Sequence, residues 1–219
     1  MVKFSKIDSQ LKKELKKVQR NVAKKLKLKS RDWAYFNKVG DYLVVYMINI
    51  NFPDNKFRVI IRPYIKPYII DDIFWEIFDM ASNSQEAMSL RAVGAFTVDT
   101  FTLPTKIAEE DWAMEDLDLE KVETKVFEVL SETHEEVFKL ISSFSDFEDF
   151  YTYVVENAPI PAHYDLMGML LMIYREQYAD ALQMAEDLIA KRQLGKFQNK
   201  GKWINEYIVD YCKEKIKSD

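Results

Sequence analysis

Glycine is scarce in this chain, and so are the residues that metal and redox chemistry rely on. Among 219 residues there are five glycines, two histidines and one cysteine. With only Gly40, Gly94, Gly168, Gly195 and Gly201, neither a dinucleotide-binding G-x-G-x-x-G, nor a phosphate-binding P-loop, nor a G-x-S-x-G nucleophile elbow can be spelled. Two histidines, His134 and His163, exclude H-E-x-x-H and any His-rich metal site. A single cysteine, Cys212, rules out an intrachain disulfide and fits a reducing compartment. No apolar run nears the ~20 residues that span a bilayer, and the N-terminus lacks the apolar core of a secretory signal. The expectation is a soluble, cytoplasmic protein with no cofactor and no metal.

What the chain does have is apolar bulk and segregated charge. Hydrophobic residues make up 48% and aromatics 14%, enough for a substantial core. The net charge is −5, but residues 1–31 hold twelve Lys/Arg against Asp8 and Glu14, a net of +10. The remainder nets −15, and 109–157 alone sets sixteen acids against Lys121, Lys125 and Lys139, a net of −13. Such asymmetry calls for an electrostatic partner, inside the chain or outside it.

The basic segment is patterned as a helix over 9–27. Leu11, Leu15, Val18, Val22 and Leu26 fall within an arc of about 80° at ~100° per residue. Lys12, Lys13, Lys16, Lys17, Arg20 and Lys24 occupy roughly 140° on the opposite side. Strands are expected at 33–37, 42–49 and 57–62, joined by turns at Gly40-Asp41 and Pro53-Asp54-Asn55. In "RPYIKPYI", Pro63 and Pro67 are expected to end the third strand or make it an edge. A second helix follows at 71–80. Residues 91–103 read as a further extended segment with a bulge near Asp99-Thr100. From about 116 the pattern is helical, with one long helix through Leu119–Leu140 and shorter ones at 147–156, 162–174, 177–191 and 201–216. The fold class is α+β: an N-terminal helix and antiparallel sheet (α-β-β-β-α-β), then an all-α helical lobe. The division is expected at 1–104 and 105–219, or as one continuous domain.

Few motifs carry chemistry. His134 lies in "SETHEEV", where Ser131 replaces the Glu a di-iron helix needs three residues earlier, so it reads as part of a solvated acidic face. Cys212 reads as a small buried apolar residue. "PAHYDL" places His163 and Asp165 in the first turn of a helix without a third catalytic partner. "YADAL" resembles the second-helix opening of a tetratricopeptide repeat, but Gly168, Met169 and Met172 depart from that pattern and no second copy follows. No catalytic residue is assigned, and the reading leans against an enzyme.

The N-terminal half resembles the bacterial family called domain of unknown function 4304. The resemblance rests on "KKLKLKSRDWAYF", "GDYLVVYMINI" and "NKFRVIIRPYI", and spans residues 10–80. The family has no settled activity and supplies no catalytic residues. Some small proteins of this kind are encoded beside bacterial toxins, so the resemblance implies an immunity or binding role.

Three functions compete. The favoured one is a non-catalytic protein-binding module, an inhibitor or toxin-immunity protein. It would meet a basic partner through Glu109, Glu110, Asp111, Glu115, Asp116 and Asp118, with Tyr64 and Tyr68 as aromatic anchors. The second is nucleic-acid binding through Lys12, Lys13, Lys16, Lys17, Arg20 and Lys24. The third is an enzyme with an unrecognised site.

Overall fold

The computed structural model describes residues 9–114 and 117–218. In chain order, α1 (Ser9–Lys25) leads into β1 (Lys29–Arg31), β2 (Ala34–Val39), β3 (Tyr42–Asn51) and β4 (Lys56–Pro67). Helices α2 (Ile70–Ile77) and α3 (Ser89–Val93) precede β5 (Phe101–Thr102) and β6 (Lys106–Ala113). Then come α4 (Leu119–Ser143), α5 (Phe147–Asn157), α6 (Asp165–Tyr174), α7 (Tyr178–Ala190), the short strands β7 (Gln198–Asn199) and β8 (Lys202–Trp203), and α8 (Ile204–Ser218). The fold is α+β, an N-terminal helix and antiparallel sheet followed by a helical region.

Two units are resolved, and each draws on residues from both sides of position 104. Unit 1 comprises Met1–Val39, Val44–Ile65 and Thr102–Ile141. Unit 2 comprises Gly40–Leu43, Lys66–Phe101 and Ser142–Asp219.

Unit 1 holds α1, most of the sheet and α4. The strand order is β1-β2-β3-β4-β5, with β6 also on β4. The middle of the apolar stripe of α1 is covered, with Leu15, Val18, Val22 and Ala23 buried, while Leu11 is half-buried and half-buried Leu26 lies past the helix end at Lys25. Gln19 ties the helix to the sheet, donating to the Ile48 carbonyl at 3.2 Å and accepting from the Tyr35 hydroxyl at 3.1 Å. Central β3 is buried from Tyr42 through Tyr46 without alternation, as expected of a strand covered on both faces.

Three expectations need correction. First, β4 does not end at Pro63 but runs to Pro67. In an antiparallel ladder each residue turns its N–H and C=O to one neighbour, alternating along the strand. Pro63 points to the β5 side, where its carbonyl accepts from Leu103 N at 2.9 Å, while Tyr68 N, of the other parity, bonds to Asp41 O at 2.7 Å. Pro67 shares the parity of Pro63, so both missing donors fall on one side and the β3 side is spared.

Second, 91–103 is not an extended strand. Residues 89–93 form α3, and only Phe101–Thr102 are β. The backbone between them bonds to side chains instead of a ladder: Trp75 Nε1 donates to Phe96 O at 2.6 Å, and Asp71 and Lys66 take both polar groups of Val98. Third, β6 is a strand that the charge in "KIAEEDWA" conceals. It pairs antiparallel with β4, placing Glu109 opposite Arg58, and a bulge lies at Lys56/Phe57. Strand β1 and the β7–β8 hairpin were likewise not expected, and 162–174 divides into a 3-10 turn, Pro161–Tyr164, and α6.

Unit 2 has an aromatic core. Phe74 stacks on Phe78 at 5.1 Å between centroids, and Phe197 and Tyr207 close on the same pair. Tyr42 meets Phe144, Phe147 and Phe150 at 5.3–6.0 Å. Gly168, where a repeat pattern would want leucine, leaves room for Tyr151: a Cβ there would lie 2.3 Å from its hydroxyl.

The covered stripe of α1 sets a stability expectation. Leu15→Ala should lower the unfolding free energy by about 3 kcal/mol through lost burial and a residual cavity. Lys16→Ala, on the exposed side, should change it by less than about 0.5 kcal/mol. Urea denaturation of the two variants measures the difference.

Candidate functional site

Unit 1 sorts its charges unevenly between its elements. On α1, Lys12, Lys13, Lys16, Lys17, Arg20 and Lys24 are all exposed. None of the six has an ion pair among the described residues. Lys12, Lys16, Arg20 and Lys24 follow one another at steps of four along a single ridge, about 18 Å end to end at 1.5 Å per residue. The chain continues the same charge beyond the helix. Lys27, Lys29 and Arg31 are exposed, and β1 is an edge strand with all three residues in solvent. The two-residue turn after it presents Trp33, 50% exposed, edge-on to Tyr64 at 6.5 Å.

Lys25 sits on the flank of α1 and behaves differently. Its Nζ lies 2.7 Å from Glu123 of α4, and Asn21 donates to the same carboxylate at 3.3 Å. These bonds hold Glu123 below the usual carboxylate range. A groove of about 430 Å³ runs here between α1 and α4, lined by Lys17, Asn21, Lys25, Glu120 and Glu123. It marks the boundary between the basic and acidic parts of unit 1.

The expected acidic residues are placed otherwise. Glu109 pairs with Arg58 at 2.5 Å, Glu110 with Lys125 at 2.8 Å and Asp111 with Lys56 at 2.5 Å. Glu136 pairs with Lys106 at 2.5 Å. Asp118 accepts from the backbone N–H groups of Glu120 and Lys121 at the start of α4, which is a helix-capping role. Glu115 and Asp116 lie outside the described residues. The structure therefore does not gather these acids into a free patch on β6; it answers three of them from within.

The two tyrosines part company. Tyr64 belongs to unit 1 beside Trp33. Tyr68 belongs to unit 2, where the Arg91 guanidinium lies 4.4 Å over its ring and pairs with Asp72 at 2.5 Å. Lys27, Lys29, Arg31 and Trp33 were not among the expected site residues. Their signal was present in "KLKLKSRDW", where the alternation of an edge strand carries the charge onward from the helix.

Among the described residues, no group of three or more His, Cys, Asp or Glu could hold a metal, and no helix is long and apolar enough to cross a membrane. Cys212 is buried, as expected. No family model, curated protein or solved structure matches the chain. The functional reading therefore rests on the residues themselves.

His134 corrects a further expectation. It is not part of a solvated face: its Nδ1 lies 2.7 Å from the hydroxyl of buried Tyr46, with the rings edge-on at 5.8 Å. Burial pushes the imidazole below its ordinary value, with Glu135 opposing. The folded state then binds this proton less readily than the unfolded chain. Stability from this site is present above about pH 6.5 and is lost as the pH falls below it. In an NMR titration, His134 should have its midpoint below about 6.5.

Proposed function

We propose that unit 1 binds single-stranded nucleic acid along the exposed face of α1 and the edge strand β1. The observation that carries this reading is the set of six α1 cations, exposed and without ion pairs among the described residues, while the acids of β6 are matched by lysines and an arginine. Unit 1 holds 20 Lys/Arg against 16 Asp/Glu, a net of +4, so the excess negative charge belongs to unit 2. A cationic ridge attracts phosphate by counterion release, and exposed Trp33, in the turn after β1, supplies a stacking surface for a base. Reading by stacking favours a single strand over a duplex, whose bases are already stacked.

The protein-binding reading, an inhibitor or immunity protein, keeps one supporting observation. On α4, Glu132 and Glu135 are exposed beside Phe138, which is 56% exposed. A basic protein docking there would make no use of the α1 lysines.

A filter-binding salt series with a mixed-sequence oligonucleotide separates the two. Log K should fall linearly with log salt, each phosphate contact adding about 0.7 to the slope. Replacing Lys12, Lys16, Arg20 and Lys24 together by Gln should flatten the slope by about 2–3. Replacing Lys213, Lys215 and Lys217 by Gln should leave it unchanged. Trp33→Ala should weaken binding by about 1–3 kcal/mol at constant slope. Undetectable binding at low salt, or a slope indifferent to the α1 substitutions, would remove the proposal.

A further inference from the structure

Unit 2 contains a cavity of about 260 Å³ that owes nothing to the basic ridge. Four stretches of chain enclose it: Val98-Asp99, the turn and first residues of α6, the end of α7 with the loop after it, and the start of α8. Its floor is apolar, from Met167, Met169 and Leu188. Its charged groups are few, Asp165 and the ion pair of Lys196 with Asp99, and His163, Tyr164, Gln193 and Asn205 are its other polar lining. An apolar hollow with a small number of convergent polar groups is the usual form of a small-ligand site.

The walls are fixed rather than fortuitous. Lys66 and Asp71 form a fully buried pair, Nζ to Oδ2 at 2.8 Å. Together they hold both backbone groups of Val98: Lys66 Nζ donates to its carbonyl at 2.9 Å, and its N–H donates to Asp71 Oδ1 at 2.9 Å. That sets the Val98-Asp99 wall. On the opposite side, buried Asn205 donates to Gln193 O at 2.8 Å, tying α8 to the loop after α7. Gly195 adopts φ +93°, and a Cβ there would meet Ile204 Cγ2 at 2.3 Å, so the loop closes on α8 as tightly as a glycine permits.

One polar group in this setting is unanswered. The half-buried Asp165 carboxylate has no hydrogen bond and no ion pair among the described residues. Burial pushes it above its ordinary value, with Lys191 opposing. Its charge also raises the neighbouring Tyr151 hydroxyl, after burial, which does so more. Lys191 acts on this carboxylate only at a distance, without an ion pair among the described residues, and Lys196 in the cavity lining is engaged by Asp99.

We propose that this cavity binds a small organic ammonium ion, its charged end on Asp165 and its apolar body on Met167, Met169 and Leu188. The Asp99–Lys196 pair lines the same cavity and neutralises itself, which leaves Asp165 as the carboxylate that an ammonium can answer. The cavity is sized for a short amine, not for a nucleotide or a cofactor. The inference is independent of nucleic-acid binding and can hold if that reading fails.

Three probes with one apolar body test it: isoamylamine, isoamyl alcohol and isovalerate, titrated into the whole protein and followed by amide NMR shifts. Isoamylamine should saturate with a Kd of about 1 mM or tighter, moving Asp99, Asp165, Met167 and Leu188. The alcohol should bind about tenfold more weakly, because it loses the charge-assisted contact. Asp165→Asn should reduce amine affinity by about tenfold while leaving the alcohol unchanged. Lys196→Ala should raise amine affinity by about threefold, since it removes a like charge. Unsaturable shifts for all probes, equal affinity for amine and alcohol, preference for isovalerate, or an Asp165→Asn protein that keeps full amine affinity would each overturn the proposal.

Discussion

Everything assigned to unit 1 depends on the burial of one helical stripe. Leu15, Val18 and Val22 are 4%, 5% and 0% exposed. Each such side chain contributes about 1.5–3 kcal/mol when buried, more than any surface ion pair in the unit can supply. With that stripe held against the sheet and Gln19 bonded to Ile48 O, the rotation of α1 is set. The opposite side of the helix must then face water, and the sequence has filled it with lysine and arginine. The cations are exposed because the leucine and valines are not.

A second constraint follows from where the acids went. The chain after residue 105 carries enough negative charge to neutralise the helix. The register of β6 on β4 instead matches Glu109 to Arg58, and Asp111 reaches Lys56. Lys125 and Lys106 take Glu110 and Glu136. Among the described residues, Lys25 at the flank of α1 is the one cation of that helix drawn into this network, through Glu123. In unit 2 the organising contact is different in kind. Breaking the Lys66–Asp71 pair by removing one partner would leave a buried charge at a cost of about 3–5 kcal/mol. Such a pair is a poor source of stability but a good way of fixing backbone position, and here it fixes Val98.

Much of this was legible in the sequence. The stripe of α1, the cationic arc, the Gly40-Asp41 hairpin, the long helix through Leu119–Leu140 and the buried Cys212 all follow from periodicity and residue type. The misreadings share a cause: the deciding bond lay far away in sequence. Pro63 and Pro67 look like strand breakers until parity shows both missing donors on one side. Residues 91–103 look extended until Trp75, Lys66 and Asp71 claim their backbone. Strand β6 was hidden because its side chains are paired by charge with β4, which apolar alternation cannot reveal. For the candidate site, the six α1 cations could be named from spacing alone. Their freedom from ion pairs among the described residues could not, because that depended on where Glu109, Glu110 and Asp111 found partners. Asp165 was visible as a helix-start acid; the hollow it faces was not, since four separate segments build it.

The central claim is that the α1 ridge is free in the isolated protein and occupied by nucleic acid when bound. Lysine acylation read by mass spectrometry, with and without a single-stranded oligonucleotide at low salt, tests it directly. Lys12, Lys13, Lys16, Lys17 and Lys24 should label quickly in the free protein and slow by about tenfold with the oligonucleotide, an effect abolished by high salt. Lys66 should stay unlabelled throughout, and Lys213 and Lys217 should label equally in both states. Slow labelling of the ridge in the free protein, or protection that falls on α8 instead of α1, would contradict the account.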